Sequence, residues 1–291
     1  MSFKSLKEIT ESAREQEKPF WRIIMENDMS ERMVSEAESF DMMKQMYDTM
    51  RLADKSYDEK LKSASALVGG DGWKMKEAVE QKKTMSGDFI GEVMAKALKM
   101  GESNACMKRI VAAPTAGSCG VMPAVFLTYQ EEYNVSDDRM VEAMFVAAGI
   151  GAVIAERAFI AGATGGCQAE IGSASAMAAG GLACLQGGGS KEIVHAAAMA
   201  LKSLLGLVCD PVAGLVEVPC VKRNVIGAVN AITSADMAMA GIVSRIPPDE
   251  VIDAMRSIGM ALPSSLKETG EGGLAATPTG EEIARKLMEE Q

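Results

Sequence analysis

The chain has 291 residues, a formal net charge of −10, 48% hydrophobic and 24% charged residues, enough apolar content to bury a sizeable core. The acidic balance excludes a basic face for nucleic acid and a patch for anionic membrane surfaces. Aromatics make up 4%, against 23 Met and 28 Gly. The core is therefore built from Ala, Met, Leu, Ile and Val at close range, which suits helices better than a β-sandwich.

Residues 1–20 carry charges throughout and contain no apolar h-region, so no secretory signal is read. We expect a cytoplasmic chain with reduced thiols. Its six cysteines are then ligands, reactive thiols or core residues rather than disulfides. Residues 1–100 are charge-dense and read as successive amphipathic helices. Ser30 is the expected N-cap of a helix through Met33, Met42, Met46 and Met50. Gly69, Gly70 and Gly72 mark a turn. Ser86 caps a helix through Phe89, Ile90, Val93 and Leu98, which Gly101 stops.

From about Cys106 the charges thin out and Ala and Gly take over. Ser136 and Asp137 start a nearly all-apolar helix from Arg139 to Ala161, stopped at Gly162. With Glu142, Glu156 and Arg157 as its only charges after Arg139, it reads as a central helix with neighbours all round. The charge-free run Ile171 to Ser190 is long enough for a membrane span, but its content is wrong. Gly172, Gly180, Gly181, Gly187, Gly188 and Gly189 interrupt it, and Ser173, Ser175 and Gln186 are polar. It reads as a tightly packed buried helix with a glycine-rich exit. Ser190 caps a helix from Lys191 to about Leu205, ending at Gly206. Asn224 to about Ile242 forms another, and Pro248 and Asp249 start one that ends at Gly259. Thr279 and Glu282 form a capping box for Gly280 to Glu290.

Val111–Ala113 and Leu215–Val218 are short extended candidates at most. The expected fold is mainly α: a single compact multi-helix domain over 1–291. A charged helical peripheral part (1–105) adjoins a Gly/Ala-rich central helical core (106–291).

Three loops of that core set Gly or Pro beside a cysteine between two helices, the usual setting for reactive groups on a rigid scaffold. They are Ala113-Pro-Thr-Ala-Gly-Ser-Cys-Gly120, Gly162-Ala-Thr-Gly-Gly-Cys-Gln-Ala-Glu170 and Cys209-Asp-Pro-Val-Ala-Gly-Leu-Val-Glu-Val-Pro-Cys220. Thiolates are the preferred ligands of iron–sulfur clusters. Three of them could hold three corners of a cube and leave the fourth iron open. There is no C-x-x-C pair, so spacing alone leaves six ordinary reduced cysteines as an open reading.

The segments at 165–170 and 209–220, with Lys-Arg-Ile-Val-Ala-Ala-Pro-Thr-Ala-Gly at 108–117 and Lys-Arg-Asn at 222–224, closely resemble the α chain of iron–sulfur-dependent L-serine dehydratases. The similarity runs from about residue 20 to about residue 280. The resemblance implies a [4Fe–4S] cluster on Cys167, Cys209 and Cys220, in the loops of the core, and a lyase reaction from L-serine to pyruvate and ammonia. The open iron would act as Lewis acid for loss of the β-hydroxyl.

In that family the general base is a histidine in a Ser-Ser-Ser-His-Thr segment of the β domain or β chain. This sequence has no such segment, so a β subunit is the expected partner. Backbone N–H groups at Thr115, Ala116, Gly117 and Ser118 suit the substrate carboxylate. Arg223 or Lys222 would offset negative charge. Asn224 would bond a cluster sulfur or cap a helix. Cys184 and Cys119 read as packing residues, and Cys106 has no supporting context. The single histidine, His195, lies in Ile-Val-His-Ala-Ala-Ala-Met and reads as structural.

Rival readings are an L-cysteine desulfidase, a non-catalytic structural or electron-transfer iron–sulfur subunit, and a zinc-stabilised helical domain. A pyridoxal-phosphate enzyme would need Gly187–Ser190 as phosphate cradle and a Schiff-base lysine, but Lys191 begins the helix itself.

Overall fold

Small side chains dominate the middle of the chain, and they allow one helix to sit inside a ring of others. The computed structural model describes residues 3–289. The α-helices in chain order are α1 (Leu6–Glu15), α2 (Phe20–Arg32), α3 (Glu36–Lys55), α4 (Asp71–Glu80), α5 (Gly87–Ala105), α6 (Val121–Tyr133) and α7 (Asp137–Arg157). They continue with α8 (Gly162–Gly165), α9 (Ser173–Leu185), α10 (Ser190–Lys202), α11 (Cys220–Met239), α12 (Pro248–Ala261) and α13 (Pro278–Glu289). A π-helical turn, Gln168–Gly172, leads into α9.

Among the described residues there is no strand, only an isolated bridge between Cys209 and Lys267. No helix there is long and apolar enough to cross a membrane. The mainly α, single-domain expectation holds.

Helix α9, Ser-Ala-Ser-Ala-Met-Ala-Ala-Gly-Gly-Leu-Ala-Cys-Leu, is buried from Ser173 to Cys184. Its neighbours are α6, α7, α10 and α11, so it is buried on all sides, as its lack of charge requires. Helices α2 and α3 cover α7, while α5 packs between α4, α6 and α11. Helix α12 lies against α10 and α8, and α13 rests on short turns at Val212–Gly214 and Gly273–Ala276.

Several boundaries differ from the sequence expectations, each for a local reason. The helix expected from Ser30 is broken. Helix α2 ends at Arg32 with Met33 left-handed at φ 55°. Helix α3 starts behind Ser35, whose hydroxyl accepts the Glu38 N–H while the Glu38 carboxylate accepts the Ser35 N–H. That reciprocal box outweighs the methionine spacing.

Gly101 does not stop α5. A Cβ there would lie 3.2 Å from Val221 Cα, so the glycine serves the close approach of α11. Ser86 stands at the head of α5 without a side-chain cap bond. Helix α7 ends at Arg157, before Gly162. The cap of α10 is Gly189, whose N–H donates to Glu192 at 3.0 Å. Helix α13 begins two residues earlier than expected, with Thr277 Oγ1 accepting from the Gly280 N–H at 3.1 Å. Its expected last residue, Glu290, lies outside the described residues. Neither Val111–Ala113 nor Leu215–Val218 forms a strand.

Candidate functional site

The three cysteine-bearing loops come together at one side of the α9–α11 pair. Cys167 is the residue before the π-helical turn and is buried. Such turns are uncommon and cluster at functional sites. Gln168 fixes this corner. Its side-chain N–H groups donate to Gly165 O at 2.9 Å and Met255 O at 3.2 Å. Its carbonyl oxygen accepts the Gly206 N–H at 2.9 Å, and its own backbone N–H donates to Leu207 O at 2.9 Å. One residue therefore ties the Cys167 loop to the chain entering Cys209. Nothing in the residues next to Gln168 signals this role, because its partners Gly206 and Met255 are distant in the chain.

Cys209 is buried and held on both sides by backbone. Its N–H donates to Leu266 O at 2.9 Å, and its carbonyl accepts the Glu268 N–H at 2.8 Å. Cys220, also buried, is the first residue of α11.

The thiols sense one another. Cys209 donates a hydrogen bond to Cys167, which holds the Cys167 thiol below its ordinary range, and the Arg223 guanidinium reinforces this. The same bond, with burial, pushes the Cys209 thiol up. Burial, then the charges of Cys167 and Glu170, push Cys220 up to about 12. Among the described residues, no three His, Cys, Asp or Glu side chains close around a single metal ion. The donor set is three buried sulfurs beside a guanidinium, with no imidazole. It fits a multi-iron cluster, whose ligands stand further apart than those of one ion, better than a closed zinc tetrahedron.

Arg223 is held in place rather than loose. Its Nη1 donates to Val208 O at 2.7 Å and its Nη2 pairs with Asp210 Oδ1 at 2.7 Å. Asp210 Oδ2 in turn accepts the Leu274 N–H at 2.9 Å. Lys222 is exposed and reaches Asp71 instead, at 3.5 Å.

The loop at 115–118 lies against the same place. The Ser118 hydroxyl is buried and stands 3.0 Å from Thr115 Oγ1. The Thr115 N–H is spent on Ser118 Oγ at 3.4 Å. The N–H groups of Ala116, Gly117 and Ser118 have no partner among the described residues. Asn224 braces this loop from α11: it accepts the Gly120 N–H at 2.9 Å and donates to Gly117 O at 2.8 Å and Cys220 O at 3.0 Å. Its amide is thus occupied by backbone.

Glu170, the last residue of the Gly-Gly-Cys-Gln-Ala-Glu segment, was not singled out by the sequence. Its carboxylate lies over the 115–118 loop: a Cβ on Gly117 would be 3.2 Å from both of its oxygens. A Cβ on Gly162 would be 3.0 Å from Glu170 Oε2 and 2.8 Å from Cys209 Sγ, so glycine lets the acid and the thiol approach. Burial raises the Glu170 pKa, and a hydrogen bond from Thr115 opposes that rise.

The remaining candidates stay apart from this site. His195 is half-buried on α10, where its Nδ1 accepts the Ser244 N–H at 3.3 Å. Cys119 is fully buried, with its thiol 3.7 Å from Met100 O, and Cys184 is buried on α9. The Gly187–Ser190 loop directs its Gly189 N–H at Glu192, a carboxylate where a phosphate would have to sit.

Comparison with known proteins gives a consistent picture. The family model for the serine dehydratase alpha chain matches residues 15–275. A probable L-serine dehydratase alpha chain of Bacillus subtilis (strain 168) is 45% identical over 98% of this chain and 95% of its own. A probable L-serine dehydratase alpha chain of Latilactobacillus sakei is 58% identical over 69% of this chain and 95% of its own. The L-serine dehydratase alpha chain of Peptoniphilus asaccharolyticus is 40% identical over 98% of both.

Proposed function

The chain belongs to the serine dehydratase alpha chain family, and on that premise we propose that it is the cluster-bearing α subunit of an L-serine ammonia-lyase. The reaction converts L-serine to pyruvate and ammonia. The observation that carries the reading is the meeting of buried Cys167, Cys209 and Cys220 beside a loop whose Ala116, Gly117 and Ser118 amides are unpartnered among the described residues.

A [4Fe–4S] cluster on those three cysteines would supply an iron free of protein thiolate, a Lewis acid toward the substrate carboxylate and β-hydroxyl. The amides of Ala116, Gly117 and Ser118 hold the substrate carboxylate, and Asn224 keeps them aimed by fixing the loop at Gly117 and Gly120. Arg223, anchored on Asp210 and Val208 O, contributes positive charge beside Cys167. Loss of the Cα proton and the β-hydroxyl gives aminoacrylate, which tautomerises to the imine and hydrolyses to pyruvate and ammonia.

Among the described residues no histidine reaches the site to take the Cα proton. The chain's one histidine is bonded to Ser244 on α10. We assign the base to a β subunit, and the relatives' designation as alpha chains supports such a partner.

The test is anaerobic reconstitution of the chain with iron and sulfide, with and without a candidate β subunit, followed by a pyruvate assay on L-serine and L-cysteine side by side. The proposal expects pyruvate from L-serine with both chains present. Activity of this chain alone would overturn the assignment of the base. Preference for cysteine would make the enzyme a desulfidase instead.

A further inference from the structure

Glu170 is a partly buried carboxylate with no ion-pair partner among the described residues, although the protein forms ion pairs widely elsewhere. Burying an acid without a cation is costly. Here the Thr115 hydroxyl and the Gly162 N–H offset part of that cost, and Glu268 adds further negative charge nearby. Arg223, the cation beside Cys167, is committed to Asp210 at 2.7 Å.

The position of Glu170 is specific. Its two oxygens lie over Gly117, in the loop whose Ala116, Gly117 and Ser118 amides are unpartnered among the described residues. The loop that carries these amides and the Glu170 carboxylate thus meet beside Cys209. A free amino acid carries its two opposite charges on one carbon, and this pairing of groups matches it: amides for the α-carboxylate, an acid for the α-ammonium. The π-helical turn Gln168–Gly172 sets Glu170 at this point, three residues after Cys167.

We infer that Glu170 anchors the α-ammonium group of the substrate and thereby restricts the site to α-amino acids over hydroxy acids of the same shape. This rests on the reading of the chain as a serine dehydratase subunit and deepens it by naming the group that recognises the amine. The cation neutralises Glu170 only when substrate is bound, so the site favours ligands bearing both charges.

The test compares the reconstituted α–β enzyme with its Glu170→Gln and Glu170→Asp variants. L-Serine is followed by KM and kcat. 3-Hydroxypropionate, which keeps the carboxylate and hydroxyl and lacks the amine, is followed by inhibition and by calorimetry. Iron and sulfide content is measured for each protein. The inference expects Glu170→Gln to raise the KM for L-serine roughly ten- to a hundred-fold, the weight of a charged hydrogen bond. It expects 3-hydroxypropionate to bind as before or more tightly, Glu170→Asp to recover part of the serine affinity, and iron content to stay unchanged.

A parallel loss for both ligands, a fall in kcat at unchanged KM, or loss of iron from both variants would overturn it. If the wild-type enzyme prefers L-cysteine to L-serine, the serine reading fails alone, because cysteine carries the same ammonium and the Glu170 comparison then runs with cysteine.

Discussion

The side-chain oxygen of Asn224 accepts the buried N–H of Gly120 at 2.9 Å. Through this bond, and the one from its Nδ2 to Gly117 O at 2.8 Å, the first turn of α11 grips the loop ahead of α6. Cys220 begins the same turn, so this cysteine and the 115–118 loop share one support.

Replacing Asn224 with Ala leaves the Gly120 N–H and the Gly117 carbonyl without that partner. An unsatisfied buried group costs roughly 1–3 kcal/mol, so the expected loss is about 3 kcal/mol in urea unfolding of the anaerobic protein. A loss below about 0.5 kcal/mol, the level of an ordinary surface change, would show that the loop does not depend on Asn224.

The Arg223–Asp210 pair is largely out of solvent. Arg223→Ala strands the Asp210 carboxylate and is expected to cost about 3–5 kcal/mol. Arg223→Lys should recover less than half of that, because an ammonium cannot serve Val208 O and Asp210 with the same fork. Denaturation midpoints of the two variants provide the check. Equal stability of Arg223→Lys and wild type would refute the role given to the guanidinium.

Burial pushes the Cys119 thiol up to about 12, from the ordinary 9.0. Between those values the folded chain keeps a proton that the unfolded chain has released. The stability this gives is fully present below pH 9.0 and is lost as pH rises toward about 12. The Cys119→Ala variant should therefore lose less stability than wild type over that window and follow the same pH course below it. Unfolding free energies measured across the alkaline range decide this, and identical curves would contradict the burial of the thiol.

Much of this architecture could be read from the residues. The glycine-and-alanine run at 171–190 reads as a tightly packed buried helix, which α9 is, and Ser136 and Pro248 mark the starts of α7 and α12. What the sequence misplaced were boundaries decided by tertiary contact. Gly101 looked like a stop because a helix interior disfavours glycine, yet the proximity of Val221 gives it a packing reason. The candidate loops were visible as Gly, Pro and Cys together. Gln168 and Glu170 were not, since their roles depend on segments distant in the chain: Gly206, Met255 and Gly117. Asn224 was noticed, but its bond to a residue 104 positions away has no local signal.

His195 is expected to be dispensable for the chemistry. Burial, then the Lys191 charge, lowers its pKa below the usual histidine value, and its Nδ1 already accepts the Ser244 N–H. His195→Gln should leave the kcat of the α–β enzyme within about two-fold, the change expected for a residue outside the general acid–base machinery, whose removal typically costs 10²-fold or more. A loss of that larger size with an unchanged melting temperature would return His195 to the mechanism.

The central claim is that Cys167, Cys209 and Cys220 mount a cluster with one iron open to substrate. Mössbauer spectroscopy of the anaerobically reconstituted chain with a candidate β subunit, recorded with and without L-serine, tests it most directly. The account predicts a [4Fe–4S] spectrum in which one iron site alone shifts when L-serine is added, and loss of that spectrum when any of the three cysteines is changed to Ser. Four equivalent irons undisturbed by serine, or a protein that binds zinc and no iron, would contradict it.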